Sequence, residues 1–209
     1  MVVRRSPAFY AFSAALGMAL SSLAGFSESA LAQISVPVPQ QALPGETTPE
    51  FCLVSPRDDA AIFSTRPVFS WKGGTVQRIE LRDLTENELA WSGNLDLPVP
   101  QLAYRMTPLV PGHRYQWKAF GSSRQVVGTA EFEIMGEEER ASIETALNTL
   151  RTQLTQQGTS PAQINVEVVT YLASMGLEAD AITAAVNATP SAPALGRYIR
   201  TVRERSCNS

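Results

Sequence analysis

The spacing of the apolar residues changes once along this chain, close to Gly136. Before that point they alternate with polar residues, as in TAEFEIM, where Phe132 and Ile134 share one face and two glutamates share the other. After it they recur every three or four residues. A period of two indicates strands with one buried face, and a period near 3.6 indicates amphipathic helices. The sequence therefore predicts an α+β fold, with a β-domain at residues 51–135 and a helical region at residues 136–209.

The β-domain contains seven short runs of strand-like sequence. They are FCLVS, RPVFSW, VQRIELRDL, ELAWSG, LAYRMT, HRYQWKAF and VVGTAEFEIM. Turn-forming residues separate several of them, for example Lys72-Gly73-Gly74 and Pro111-Gly112. Short alternating runs of this kind, joined by turns, predict a seven-stranded antiparallel β-sandwich of the immunoglobulin-like class.

Two motifs in the β-domain resemble fibronectin type III domains. Leu109, Pro111-Gly112, Tyr115 and Trp117 form L-x-P-G-x-x-Y-x-W, which resembles the corner between strands E and F of that family. RPVFSW, which ends at Trp71, resembles strand B, whose tryptophan fills the core. The resemblance implies that the Tyr115 hydroxyl hydrogen-bonds backbone a few residues upstream. It also implies that Trp71, Leu109, Tyr115 and Trp117 belong to the structural core.

The helical region divides into about four short helices. The first begins after Gly136 with three glutamates, which favour the positive end of the helix dipole, and stops at Gly158. Ser160-Pro161 is an N-cap followed by proline at the first helical position, and Gly176 ends this second helix. A third helix precedes two prolines, and a fourth carries four arginines near its end, for which an anion-binding patch is the second interpretation. TYLASMGLEADAITAAVNATPSAP resembles a single tetratricopeptide hairpin.

The first 32 residues have the three-part layout of a secretory signal peptide. Arg4 and Arg5 precede an uncharged apolar stretch, and Ala30-Leu31-Ala32 offers small residues for cleavage. The alternative is an uncleaved membrane anchor. Residues 33–50 contain four prolines and predict an extended linker or an irregular strand along the domain.

Charge and cysteine content suit an exported chain. The formal charge is −3, and cleavage, which removes two arginines and one glutamate, makes it −4, so nothing suggests a nucleic-acid partner. Cys52 and Cys207 are the two cysteines, and neither has a second Cys or His at metal-ligand spacing. An even pair in an exported protein favours a Cys52–Cys207 disulfide, and two unrelated buried thiols are the alternative.

The sequence offers no catalytic set and no cofactor or metal motif. We place His113, the only histidine, at the surface, because one imidazole without a nucleophile or carboxylate partner does not make an active site. The aspartates that could form a carboxylate pair fall in or beside predicted turns, where Asp is common for backbone reasons, and they are Asp58, Asp59, Asp83 and Asp96. Trp91 is the residue with a predicted role in ligand contact, since its burial is the least certain of the three tryptophans.

The whole layout is similar to a family of cyanobacterial envelope proteins of unknown function. The matching elements are Pro67–Trp71, Pro111–Trp117, Gly176–Ala181 and the late Cys207. This similarity implies a periplasmic or secreted location and an architecture, but no active site. We therefore expect a non-catalytic binding or scaffold protein that contacts envelope proteins. The alternatives are a polysaccharide-binding module and, with less support, a cell-wall glycan hydrolase.

Overall fold

The computed structural model describes residues 51–95 and 99–207. The predicted signal peptide at residues 1–32 and the predicted linker at residues 33–50 lie outside this part of the chain. All described residues belong to one compact unit. The last strand ends at Ile134 and the first helix begins at Glu137, so the change of secondary structure falls where the apolar spacing changes.

The described residues contain eight strands. They are β1 (Phe51–Ser55), β2 (Ala60–Ile62), β3 (Val68–Gly73), β4 (Arg78–Asp83), β5 (Glu88–Asn94), β6 (Gln101–Ala103), β7 (Arg114–Phe120) and β8 (Val126–Ile134). One sheet has the order β1-β3-β6, and the other has the order β2-β8-β7-β4-β5. The α+β layout is confirmed, and the seven-stranded, wholly antiparallel sandwich is wrong in two respects.

Strand β2 is the reason for both errors. It contains only Ala60–Ile62, too few residues to show an alternating pattern, and it pairs parallel with β8. The chain leaves the three-stranded sheet after β1 and joins the edge of the five-stranded sheet as β2. Without β2, the remaining seven strands form a three-stranded sheet and a four-stranded sheet.

The core between the sheets is aromatic. Phe69 and Trp117 are fully buried, with their ring centroids 5.0 Å apart. Trp71, Leu109 and Tyr115 belong to the same buried cluster. The indole N–H of Trp117 donates to the carbonyl of a proline in the β1–β2 connection, so this buried polar group is satisfied.

Four helices follow the strands: α1 (Glu137–Gln156), α2 (Pro161–Ser174), α3 (Glu178–Asn187) and α4 (Pro193–Ser206). Their ends follow the sequence signals. The Ser160 hydroxyl accepts from the N–H of Gln163 at the start of α2. Gly176 ends α2 at φ +79°, a conformation that costs glycine little, and the N–H of Leu177 then donates to the carbonyl of Leu172.

Helices α3 and α4 cover the outer face of the three-stranded sheet. Val54 and Val68, which point away from the sandwich core, form a second buried cluster with Ile182 and Val202. Both faces of β3 are therefore buried, although alternation alone predicts one buried face. The structure thus has three layers, in the order five-stranded sheet, three-stranded sheet, helices.

Hydrogen bonds between backbone groups of the sandwich and side chains of the helices join the two parts. The carboxylate of Asp180 on α3 accepts from the backbone N–H groups of Phe63 and Ser64 at 2.9 and 2.7 Å. One turn later, the Thr183 hydroxyl accepts from the N–H of Val68 at 3.0 Å. Arg140 on α1 donates to the carbonyl of Phe63 at 2.9 Å. Three separate side chains thus hold the segment between β2 and β3 against the helices.

A disulfide joins the two ends of this arrangement. Cys52 on β1 is bonded to Cys207, the residue that follows α4. The bond spans 155 positions in the sequence. It attaches the last helix to the edge strand of the sheet that this helix covers.

Replacing both cysteines, as Cys52→Ala and Cys207→Ala together, should lower the free energy of unfolding by about 2–5 kcal/mol, because a loop of this length loses much entropy when it is closed. Urea unfolding at neutral pH measures the change. Reduced wild-type protein is the matched control and should show the same loss. Equal stability of the double variant and the oxidised wild type would contradict a stabilising role for the bond.

Candidate functional site

A hydrogen-bonded network surrounds the tyrosine corner at one end of the sandwich. The Tyr115 hydroxyl accepts from the backbone N–H of Val110 at 2.9 Å, five residues upstream. It also hydrogen-bonds the Asp83 carboxylate at the end of β4. Nδ1 of His113 lies 2.8 Å from Oδ2 of the same carboxylate. Asp83 further accepts from two backbone N–H groups of the β4–β5 turn.

The charges in this network follow from burial and donors. Burial alone would raise the pKa of Asp83, but the hydrogen bonds from His113 and from the turn outweigh it and hold the pKa below its usual value. Asp83 is therefore a carboxylate, and the His113 Nδ1–H is the donor to it. Burial raises the pKa of Tyr115 to about 12, so its hydroxyl stays neutral.

The expectation that His113 lies at the surface without a carboxylate partner is wrong. Its side chain is 21% exposed, and that of Asp83 is 6% exposed. The pairing of β4 with β7 brings the two together, and their separation of 30 positions in the sequence hides this contact. An Asp–His pair can orient a general base, but the hydroxyl of the neighbouring Tyr115 is buried and already bonded. The geometry supports a structural role in fixing the corner.

The predicted ligand contact, Trp91, lies on the inward face of β5. It pairs with the fully buried Leu81 in register, and its ring meets that of Tyr104 edge to face at 5.9 Å. The ring also lies over Gly93, where an added Cβ would be 2.1 Å from it. Trp91 is half-buried, and no described aromatic side chain is among the exposed large hydrophobic residues. The aromatic side chains of residues 51–95 and 99–207 are all buried or partly buried.

The outer face of the five-stranded sheet differs from that of the three-stranded sheet. Most of its side chains from β4, β7 and β8 are charged or polar and at least partly exposed. Arg114 pairs with Glu131 at 3.0 Å, and Gln116 donates to the same carboxylate at 2.9 Å. Lys118 and Arg82 are further cations on this face, which we call the polar face.

A cleft with two arginines lies at the end of the polar face, where β4 begins and β5 and β7 end. Its volume is about 570 Å³. We call it the arginine cleft, and its lining includes Gln77, Arg78, Asn94, Leu95, Phe120 and Arg124. The guanidinium of Arg78 lies 3.8 Å from the centroid of the Phe120 ring and is paired with Glu80. This cleft and the tyrosine corner occupy opposite ends of β4 and β7.

A buried carboxylate also occurs at the helix–sandwich contact. Asp180 is 3% exposed. Burial outweighs its two backbone donors and the positive charge of Arg140, and raises its pKa to about 6. Its hydrogen-bond partners are the backbone N–H groups of Phe63 and Ser64, which is a structural role.

Two features that bear on function are missing from the described part of the chain. No group of three or more His, Cys, Asp or Glu side chains there could hold a metal ion. None of its helices combines the length and apolar character needed to cross a membrane. Of the predicted turn aspartates, Asp58 accepts from the N–H of Glu131, which is a backbone role, and Asp96 lies outside the described residues.

The arginines of α4 do not form a joint anion patch. Arg203 donates to Gln101 at 3.0 Å, and Arg205 is paired with Glu178. Arg197 and Arg200 remain exposed.

The sequence analysis predicted neither the arginine cleft nor the hydrogen bonds of Asp180 to the sandwich. Only Asp180 could have been noticed in the sequence, because it is an acidic residue directly before the apolar residues Ala181 and Ile182 of α3.

Comparisons with known proteins give partial structural similarities. No protein-family model and no curated protein matches the chain. The fibronectin(III)-like modules of Clostridium thermocellum CbhA are similar over 41% of this chain and 94% of that one, with 12% identity and a TM-score of 0.28. An engineered protein is similar over 40% of this chain, with 16% identity and a TM-score of 0.28. The match takes in only 18% of the engineered protein's own length.

Tyr115→Phe should lower the free energy of unfolding by about 1–3 kcal/mol, because the N–H of Val110 loses its acceptor and the Asp83 carboxylate loses a donor. Chemical denaturation measures the loss. Tyr171→Phe is the matched control, since the half-buried Tyr171 hydroxyl has no described partner, and it should change stability by less than about 0.5 kcal/mol. Equal effects of the two substitutions would contradict the role of the corner hydrogen bond.

The pH dependence of stability should carry a contribution from Asp180. Its pKa is higher in the folded state than the ordinary 3.8, so the folded protein binds more protons between about pH 4 and pH 6. The contribution is fully present below pH 4 and is lost as pH rises through about 6, by up to roughly 3 kcal/mol. Asp180→Asn should flatten the curve in this window. Carboxyl ¹³C NMR of wild-type protein tests the same point directly, and a titration midpoint below 4 would contradict it.

Proposed function

We propose that this protein is an extracytoplasmic, non-catalytic binding or scaffold protein that contacts envelope proteins. The helices and the disulfide turn the sandwich into a rigid support, and the surface that remains open lies on the opposite sheet. Function in such a molecule depends on what its exposed surface can recognise, because the fold class by itself hosts many roles.

The unequal cover of the two sheets carries this proposal. Helices α3 and α4 bury the outer face of the three-stranded sheet, whereas the polar face stays open and ends in the arginine cleft. Its cations include Arg82, Arg114 and Lys118, and its carboxylates include Glu80, Glu131 and Glu133. A surface of mixed charge favours partner selection by electrostatic complementarity, and arginine is enriched in protein interfaces.

The chemistry of the chain supports a location outside the cytoplasm. The Cys52–Cys207 disulfide is a bond that persists in oxidising compartments and is rare in the cytosol. The signal-peptide pattern of residues 1–32 and the similarity to cyanobacterial envelope proteins agree with this location. The resemblance of α2 and α3 to a tetratricopeptide hairpin adds a second element of a kind used in protein contacts.

The two alternatives have less support. A polysaccharide-binding module would use exposed aromatic rings, but Trp91 faces inward and is half-buried. A glycan hydrolase would need two carboxylates facing a substrate cleft, and Asp58 and Asp83 both accept from backbone N–H groups instead.

Affinity capture from an envelope extract tests the proposal. The bait is the oxidised full chain without residues 1–32, and bound proteins are identified by mass spectrometry. We expect a small set of proteins whose capture depends on the polar face. The double variant Arg82→Glu, Lys118→Glu should reduce their enrichment by about ten-fold or more, because like charges then oppose at the contact.

The matched control is the double variant Arg197→Glu, Arg200→Glu on α4, which changes the net charge by the same amount at exposed positions. It should capture the same proteins as wild type. Recovery of polysaccharide alone would favour the binding-module alternative. Equal loss in both variants, or no specific protein in any bait, would contradict the proposal.

A further inference from the structure

We propose that the arginine cleft binds an acidic segment of the partner protein, with an Asp or Glu carboxylate held between Arg78 and Arg124. This inference rests on the proposed function, because it names the chemistry that the partner would present. The cleft volume of about 570 Å³ lies in the usual range of ligand-binding pockets.

Arg78 is held in place before any ligand arrives. Its guanidinium stacks on Phe120, and Glu80 takes up one of its N–H groups. An arginine has five donors in a planar fork, so other N–H groups stay available to a second carboxylate. The Arg78 side chain is 33% exposed, so part of it remains accessible to a ligand from solvent. Stacking and pairing reduce the rotamer entropy that binding would otherwise remove.

Arg124 supplies a second cation from the β7–β8 loop. The loop is closed by the N–H of Gly121, which donates to the carbonyl of Gln125 at 2.9 Å, and by the N–H of Arg124, which donates back to the carbonyl of Gly121 at 3.0 Å. Arg124 itself has φ +60°, an uncommon conformation for a residue with a side chain. The exposed guanidinium has no carboxylate partner among the described residues. Among the described residues that line the cleft, two are arginines and none is an acid, and Glu80 pairs with Arg78 beside them. This described lining therefore carries a net positive charge.

The lining favours a peptide over an acidic sugar. Gln77 and Asn94 present amide groups, which can pair with the N–H and C=O groups of a peptide backbone. The one aromatic ring in the lining, that of Phe120, is 8% exposed and has its face covered by the Arg78 guanidinium. A sugar ring therefore finds no free aromatic face to stack on, whereas a carboxylate finds donors.

The test uses an acetylated, amidated hexapeptide rich in Asp and Glu as the probe. Its counterpart with Asn and Gln, and an oligogalacturonate of similar length, are the comparison ligands. Each is titrated into ¹⁵N-labelled oxidised protein at low salt, with the backbone amide signals followed by NMR. We expect the acidic peptide to shift the signals of Asn94, Gly121 and Arg124, and the shifts to weaken as salt rises.

Arg124→Gln is the decisive variant, because its side chain makes no described contact and its loss should leave the melting temperature unchanged. It should lower the affinity for the acidic peptide by roughly three- to five-fold, the range expected of an exposed ion pair. Arg78→Gln should lower this affinity as well. Arg200→Gln on α4 removes the same charge elsewhere and should bind like wild type.

Three outcomes would overturn the inference. They are no shift at the cleft with the acidic peptide, equal affinity of Arg124→Gln and Arg200→Gln, and tighter Arg124-dependent binding of the oligogalacturonate. If envelope capture still depends on the polar face in these cases, the proposed function stands and only the ligand chemistry of the cleft is wrong. If capture fails while the acidic peptide binds, the cleft recognises carboxylates and the scaffold function is wrong.

Discussion

The position of the helices on the sandwich depends on the hydrogen bonds between α3 and the backbone of residues 63–68. Asp180 and Thr183 accept three backbone N–H groups from Phe63, Ser64 and Val68, which would otherwise lack partners beneath a helix. An unpaired buried N–H costs about 1–3 kcal/mol, so these hydrogen bonds fix the position of α3 on the sandwich. In this position α3 packs on Val68. Helix α4 packs beside it, and Cys207, which follows α4, is bonded to Cys52. The helices thus form the third layer of the domain.

This cover gives the two sheets different roles. The three-stranded sheet is covered on both faces, by the sandwich core on one side and by α3 and α4 on the other. The five-stranded sheet has one face in the core and one in water. The four edge strands are also poor templates for adding a partner strand. Strands β2 and β6 contain three residues each, and irregularities interrupt the pairing of β1 and β5. The polar face and the arginine cleft, rather than a sheet edge, are therefore the surfaces to which we assign recognition.

The Asp83–His113 pair shows how a network with catalytic residue types can serve the fold. Its carboxylate receives hydrogen bonds from a histidine and a tyrosine, which lie at the corner where the chain crosses between sheets, and from two N–H groups of the β4–β5 turn. A lowered pKa of Asp83 keeps it charged and therefore able to accept all of them. The same pair would need a free nucleophile beside the imidazole to do chemistry, and the neighbouring Tyr115 hydroxyl is already engaged.

The sequence by itself determined the elements whose cause is local. The alternation around Trp71, Tyr115 and Trp117 predicted the sandwich, and the Ser160-Pro161 and Gly176 signals predicted helix ends, because period, capping and left-handed turns act within a few residues. Only the tertiary structure decided the parallel strand β2, the double burial of β3, the His113–Asp83 pair and the arginine cleft. Each of these joins residues that are distant in the sequence, and β2 is too short to show a period. Side chains such as Arg78 and Arg124 are ordinary surface cations until the pairing of β4 with β7 places their ends together.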